Sequence, residues 1–196
     1  MQQPAPEHLS REELREGVMK GLYLFRKSNR RFAAKAQLFG SGSIMNEVLA
    51  AQELLADYKV AADVWSVTSY KELHYDALQV ERWNRLHPDE EPRRAYVAEQ
   101  LNGTPGVLVA ASDYLRLLPD ALSGHLDRKV VALGTDGFGR SEARAELRDF
   151  FEVDARHIAY ATLEALVREG AVDRETLSRA ARELEIDADK PNPFVA

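Results

Sequence analysis

The sequence contains no cysteine, and it has two tryptophans and three methionines among 196 residues. The absence of cysteine excludes disulfides, thiolate catalysis and zinc–sulfur sites, and it is typical of a reducing compartment. No apolar run approaches the roughly 20 residues that a membrane-spanning helix needs. The first 14 residues lack a basic start followed by an apolar stretch, so we predict no secretory signal and expect a cytoplasmic location.

The charge also lacks a basic excess, since 26 basic residues face 32 acidic ones and give a net charge of −6. This balance argues against a nucleic-acid partner, and nothing in the sequence indicates a membrane partner. A hydrophobic share of 45% and the length of the chain are those of one ordinary globular domain. The proline-containing segment 1–9 is predicted to be a linker, and 10–196 the domain.

Two late segments are continuous apolar runs, which is typical of parallel strands covered on both faces. Five segments are predicted as strands: 22–25, 34–39, 62–67, 106–110 and 129–133. The first two are close in sequence, and we expect them to form an antiparallel pair around a turn at 29–31. The prediction is a three-layer α/β sandwich with about five mostly parallel strands and one antiparallel edge strand.

Helix boundaries are indicated by capping residues. Ser10 with Glu13, and Ser69 with Glu72, match the capping-box pattern. Asp154 and Ser141 are predicted N-caps. Eight helices are expected: at 10–20, from 44, after 69, at 93–102, at 113–122, after 141, from 154 until Gly170 stops it, and around 177–184.

The loop 40–43 reads Gly-Ser-Gly-Ser between a strand and a helix. Backbone amides at such a position can hold a phosphate, with Ser41 and Ser43 as candidate residues. The loop lacks the Lys-Ser/Thr ending of a P-loop and the third glycine of a dinucleotide fingerprint. A tight turn with an N-cap serine is the alternative.

The loop 134–141 reads GTDGFGRS and directly follows an apolar strand, the place where sites in open α/β sheets lie. Its glycines permit special backbone angles, and Asp136 and Arg140 are expected to pair with each other or with a partner. An exposed Phe138 would favour a docking surface, whereas a structured turn is the plain alternative. The candidates are Asp136, Gly137, Phe138, Gly139, Arg140 and Ser141.

The segment 81–88 combines charge, Trp83 and a terminating proline. It fits the end of an amphipathic helix, but tryptophan and arginine are also favoured interface anchors. Arg93 and Arg94 are expected to begin the next helix, where the helix dipole disfavours cations, and this misfit is consistent with an interface. No histidine spacing supports a metal site, and no G-x-S-x-G elbow supports a serine nucleophile.

Several strings together resemble one known family. LFGSGSI, VWSVTSYKEL, ERWNRLHP, LGTDGFGRSEARAELRDFFEVD and IDADKPNPFVA resemble the C-terminal domain of the homodimeric bacterial pyruvate dehydrogenase decarboxylating component, in the transketolase superfamily. The resemblance implies a parent enzyme that binds thiamine diphosphate and magnesium, decarboxylates pyruvate and acetylates the lipoyl group of the dihydrolipoyl acetyltransferase component. It implies preceding domains and a homodimer partner, and it assigns no catalytic, cofactor or metal residue to this chain.

Three functions remain open at this point. The chain is an assembly domain that is inactive alone, a free-standing domain that binds a nucleotide or phosphate, or a docking module for the acetyltransferase core. The first predicts an exposed apolar patch where other domains would sit.

Overall fold

A five-stranded sheet runs through the computed structural model, which describes residues 4–195. The strands are β1 (Leu22–Arg26), β2 (Ala34–Gly40), β3 (Val60–Val67), β4 (Val107–Ala111) and β5 (Val130–Leu133). Their spatial order is β1-β3-β2-β4-β5. Strands β2 to β5 are parallel to their neighbours, and β1 lies antiparallel to β3 at one edge. The predicted sheet, mostly parallel with one antiparallel edge strand, is confirmed.

The predicted pairing of the first two strands is wrong. Strand β2 lies in the centre of the sheet between β3 and β4, whereas β1 pairs with β3. Ala36, Leu38 and Phe39 of β2 are all buried, and a strand buried on both faces belongs in the middle of a sheet. This two-sided burial outweighs closeness in sequence.

The helices are α1 (Arg11–Lys20), α2 (Met45–Asp57), α3 (Tyr70–Leu86), α4 (Tyr96–Gln100), α5 (Leu117–Asp120), α6 (Arg144–Phe150), α7 (Ala155–Arg168) and α8 (Arg174–Glu183). Ser10 forms the predicted capping box with Glu13. Asp154 caps α7 through the backbone amide of His157. These starts are confirmed because each cap side chain satisfies an otherwise unpaired amide.

Three predicted helices are shorter than expected. The helix at 93–102 is confined to α4, and the one at 113–122 is confined to α5. The carboxylate of Asp136 accepts from the amide of Arg116 at 3.2 Å, so this amide is paired with the loop after β5 and not within a longer helix. Ser141 is not an N-cap, because α6 begins three residues later with Ala143 in the cap position.

Helices cover both faces of the sheet, which confirms the three-layer arrangement. Helices α2, α7 and α8 share one buried core with the sheet, and α3 and α4 share the other. Gly106 lies so close to β2 that a Cβ atom there would be 1.9 Å from the carbonyl oxygen of Lys35. No helix in residues 4–195 is long and apolar enough to cross a bilayer.

Candidate functional site at the carboxyl edge of the sheet

A cleft of about 460 Å³ lies at the carboxyl ends of the parallel strands. The loop after β2 contributes Ser43, the loop after β4 contributes Asp113, and the loop after β5 contributes Thr135 and residues 137–140. Helix α6 forms a further wall with Leu147 and its arginines. The parallel sheet therefore brings together the two glycine loops that the sequence singled out, which lie about a hundred positions apart.

The loop after β2 is a tight turn held by its neighbours. Residues Gly42–Ile44 form one turn of 3-10 helix, and the Ser41 side chain is buried without making a cap hydrogen bond. The Ser43 hydroxyl lies 3.2 Å from the Asp113 carboxylate, to which it donates, and accepts from Arg148 at 3.2 Å. The tight-turn interpretation is supported, and Ser41 occupies the N-cap position of this turn, although its side chain makes no cap hydrogen bond. Ser43 lines the cleft, whereas Ser41 is buried and is not part of its lining.

The loop after β5 is held by contacts of Asp136 near its start, whereas its tip at Phe138 is exposed. Asp136 pairs with Arg116, at 3.6 Å from the guanidinium Nε, so the first of the two predicted alternatives, a pair between Asp136 and Arg140, is not formed. Arg140 instead stacks over the Phe150 ring at 4.0 Å. Gly137 has a φ of 93°, the special angle that was expected, whereas Gly139 does not have a positive φ. Ser141 is exposed.

Phe138 projects from the tip of this loop with 81% of its surface exposed. Tyr114 exposes 49% on the loop after β4, Leu117 exposes 72% at the start of α5, and Phe194 exposes 64% near the end of the chain. Backbone contacts join the three segments, because Cβ atoms at Gly134 and Gly137 would meet the carbonyl oxygens of Tyr114 and Pro193 at 2.5 Å each. We call this surface the apolar rim; its members are Tyr114, Leu115, Leu117, Phe138 and Phe194.

The sequence pointed to Phe138 but missed the rest of the apolar rim. The string Tyr-Leu-Arg-Leu-Leu at 114–118 lies in a segment that is predicted as a helix, but only its last two residues are helical, at the start of α5, and all five are exposed. The signal that could have identified this surface is the high share of apolar residues in the string, since four of its five residues are apolar and none of the five is buried.

Trp83 lies on another surface, at the end of α3, and its ring is covered from both sides within the chain. The His87 ring stacks on it at 4.4 Å with an interplanar angle of 10°, and the Arg93 guanidinium lies 3.6 Å from its centre. The Asn84 side chain accepts from the Arg93 amide at 2.8 Å. Arg93 and Arg94 precede α4 and do not begin it. The interpretation as the end of an amphipathic helix fits this geometry, and the misfit that suggested an interface is resolved inside the chain.

Asp149, Asp154 and His157 lie close enough to one another to resemble a metal site. Their charges are already matched, because Arg156 contacts Asp149 at 2.6 Å and Asp154 at 3.0 Å, and Lys190 contacts Asp149. Burial alone would raise the pKa of Asp154. Hydrogen bonds from the side chain and the backbone of His157 outweigh burial and lower the pKa to about 2. This cluster is a network that joins α6 to α7.

A family model described as "Transketolase-like TK C-terminal domain" matches residues 21–154, which include both cleft loops. The chain belongs to this family. The match begins just before β1 and ends at the cap of α7, so it covers the whole sheet and all strand ends that form the cleft.

Curated relatives carry the name "Pyruvate dehydrogenase E1 component". The protein of Pseudomonas aeruginosa is 44% identical over 181 residues, which cover 91% of this chain and 20% of the relative. The protein of Escherichia coli K12 is 44% identical over 189 residues, covering 94% of this chain and 21% of the relative. The chain therefore spans about a fifth of the length of the curated relatives it matches.

Solved structures show the same fold at low identity. A transketolase of Pichia stipitis in complex with sedoheptulose-7-phosphate has a TM-score of 0.54 and 18% identity, covering 87% of this chain and 21% of the other. A structure described as "Split gene transketolase, inactive beta4 tetramer" has a TM-score of 0.52 and 18% identity, covering 83% and 47%. The likeness concerns the arrangement of strands and helices.

Proposed function

We propose that this chain is an assembly domain of a thiamine-dependent pyruvate dehydrogenase decarboxylating component, and that the chemistry takes place on other domains. The observation that carries the proposal is the apolar rim. Large apolar side chains on three touching segments leave about half or more of their surface exposed, although the domain has two buried cores of its own. Exposed apolar surface of this kind marks contact sites between domains or subunits.

The proposed occupant of the apolar rim is the remainder of the same enzyme. The curated relatives are about five times as long as this chain, so most of each relative lies outside the matched region. We propose that preceding domains cover the rim and that the parent enzyme is a homodimer. The dihydrolipoyl acetyltransferase component is the further partner that we expect for the parent enzyme, together with a cytoplasmic location.

The described residues do not fit magnesium and thiamine diphosphate. A magnesium–diphosphate site needs carboxylate or amide oxygens whose lone pairs are free to coordinate the ion. Within residues 4–195, the carboxylate–histidine cluster with suitable spacing is Asp149, Asp154 and His157, and Arg156 and Lys190 already neutralise it. We therefore assign no catalytic, cofactor or metal residue to this part of the chain and place the cofactor elsewhere in the parent enzyme.

A chimeric enzyme tests the assembly role. The matched 181 residues of the Pseudomonas aeruginosa relative are replaced by this chain, and oligomeric state and decarboxylation of pyruvate are measured. We expect the chimera to assemble and to turn over pyruvate. The double variant Phe138→Ser/Phe194→Ser should lose assembly and activity together, whereas Leu86→Ser, exposed on α3 away from the rim, should lose neither. Full activity of the relative after simple deletion of the matched region would overturn the proposal.

Calorimetry on this chain alone tests where the cofactor lies. Thiamine diphosphate with magnesium should give no binding heat. Binding with a Kd in the micromolar range, about −8 kcal/mol, would show that the chain holds a cofactor site of its own and would contradict the assignment.

A further inference from the structure

The cleft at the carboxyl edge combines an apolar wall with a cluster of arginines. Its apolar lining comes from Ile44, Phe138, Leu147, Phe151 and Val153, and its cations are Arg140, Arg144 and Arg148. A volume of about 460 Å³ is within the range of pockets for small molecules, roughly 300–1,000 Å³. The assembly role proposed above uses the apolar rim, which shares Phe138 with the cleft, and leaves the remaining lining of the cleft without a function.

Arg148, one of the three arginines of the cleft, forms contacts within the chain that hold α6 in place. Its guanidinium lies 2.7 Å from the Glu47 carboxylate and also donates to the carbonyl oxygen of Ser43 at 3.2 Å. Its side chain is 15% exposed. Because Glu47 neutralises it, Arg148 fixes the position of α6 against the loop after β2 and contributes little net charge to the cleft.

Arg140 and Arg144 are different, because neither has an acidic partner within residues 4–195. Arg140 stacks on the Phe150 ring, which orients the guanidinium plane without neutralising its charge. Arg144 begins α6 and makes no ion pair in the described part of the chain. Other arginines of the described chain differ in this respect: Arg116, Arg156 and Arg168 form ion pairs, whereas exposed arginines such as Arg82 and Arg94 form none, but those two lie outside the cleft. Two unpaired guanidinium groups at one cleft are therefore a local excess of positive charge on a chain whose net charge is −6.

The one carboxylate that lines the cleft is partly engaged. Asp113 accepts from the Ser43 hydroxyl at 3.2 Å, which directs one of its oxygens toward the base of the cleft. Counting the three arginines against Asp113 and the adjoining Glu47 leaves the cleft with net positive charge. A guanidinium presents a planar set of donors that matches phosphate oxygens in a bidentate manner, and two such groups balance the double charge of a phosphate monoester.

We infer that this cleft binds a phosphate monoester that carries an apolar or aromatic group. Arg140 and Arg144 would hold the phosphate, and the wall around Leu147 and Phe151 would receive the apolar group. A dianionic phosphate fits the two unpaired arginines better than a carboxylate, which carries one charge. The inference concerns this chain alone and does not rest on the assembly role.

Phenyl phosphate is the probe for this inference, compared with inorganic phosphate and benzoate by calorimetry and by amide shifts in nitrogen–proton spectra of this chain. We expect phenyl phosphate to bind most tightly and to shift the amides of Gly137, Gly139 and Arg144. Arg140→Gln and Arg144→Gln should each raise its Kd about tenfold, since each removes a charge-assisted hydrogen-bonding pair. Arg82→Gln is the matched control, because Arg82 is exposed on α3 on the opposite face of the sheet.

Each contrary outcome overturns a stated part of the inference. Absence of shifts at residues 137–144 with phenyl phosphate at millimolar concentration would exclude the site. An equal loss of binding in Arg82→Gln would show general attraction of anions. Equal affinity for inorganic phosphate would remove the apolar subsite, and tighter binding of benzoate would remove the assignment to phosphate. Thermal unfolding of each variant checks that the fold is unchanged, so that a loss of binding is not a loss of structure.

Discussion

Trp83 and Phe138 are both aromatic residues near an arginine in a segment that ends a regular element, and the sequence marked both as interface candidates. In the structure they differ completely. Trp83 is half-buried in contact with His87 and Arg93 of its own chain, whereas Phe138 is 81% exposed and its neighbour Arg140 stacks on Phe150 instead. The arginine decides the difference. Arg93 stacks on the Trp83 ring, and this contact contributes to folding. Arg140 does not stack on Phe138, so the Phe138 ring remains available for contact with another protein surface.

Replacing Trp83 should have the largest effect on stability. Trp83→Ala removes the ring that joins the end of α3 to the segment before α4, together with a cation–π contact at 3.6 Å. We expect a loss of about 3 kcal/mol in the free energy of unfolding, measured by urea denaturation. Trp83→Phe keeps the stacking and should lose less than half of that. A loss below about 0.5 kcal/mol for the alanine variant would mean that Trp83 is as free as Phe138, and the comparison would fail.

The network of Asp149, Asp154 and His157 joins α6 to α7, and substitution of Asp154 tests how much this network stabilises the fold. Since the pKa of Asp154 is lowered to about 2 from an ordinary value of 3.8, its charged form stabilises the fold above pH 4, and this stabilisation is lost as pH falls toward 2. At pH 7 the contribution is about 2 kcal/mol. Asp154→Asn keeps the cap but should lose this amount and flatten the acid limb of the stability profile.

Asp173→Asn, at the exposed cap of α8, is the matched control for Asp154→Asn. It also keeps a cap. Hydrogen bonding with Thr176, chiefly from its backbone amide, lowers the pKa of Asp173, but the carboxylate is in solvent, so the change in its acid limb should be smaller than that of Asp154→Asn. Identical acid limbs for the Asp154 variant and the parent would show that the His157 and Arg156 contacts do not stabilise the charged carboxylate.

The difference between the two regions also explains what the sequence was able to predict. The continuous apolar runs of β4 and β5 predicted a parallel sheet, and the caps at Ser10 and Asp154 predicted helix starts, because these signals are local. The partner of β1 was mispredicted, since strand pairing depends on which strand is buried on both faces. The meeting of the two glycine loops also depends on strand order, and the string at 114–118 gave no periodicity that separates an exposed loop from a helix. The contacts of Arg93 and Arg140 are set by tertiary structure alone.

Gly137 should show a smaller effect that is confined to the Phe138 loop. Its φ of 93° is unfavourable for other residues, and a Cβ atom would lie 2.5 Å from the Pro193 carbonyl oxygen. We expect Gly137→Ala to cost about 1 kcal/mol in unfolding free energy. Gly139→Ala, with no atom within 4 Å of its Cβ position, should cost little. If both variants cost the same, the loop is not held in this turn, and Phe138 does not have a fixed position.

Phe138 itself should contribute almost nothing to the stability of the isolated chain. Phe138→Ala removes a ring that is 81% exposed, so the free energy of unfolding should change by less than about 0.5 kcal/mol in urea denaturation. The same substitution in the chimeric enzyme should weaken assembly by about tenfold or more, because a buried aromatic anchor typically accounts for about 2 kcal/mol of binding. Leu86→Ala, 54% exposed on α3, is the control and should affect neither property. If Phe138→Ala destabilised the isolated chain as much as Trp83→Ala, Phe138 would be part of the fold, and the apolar rim would lose its central contact.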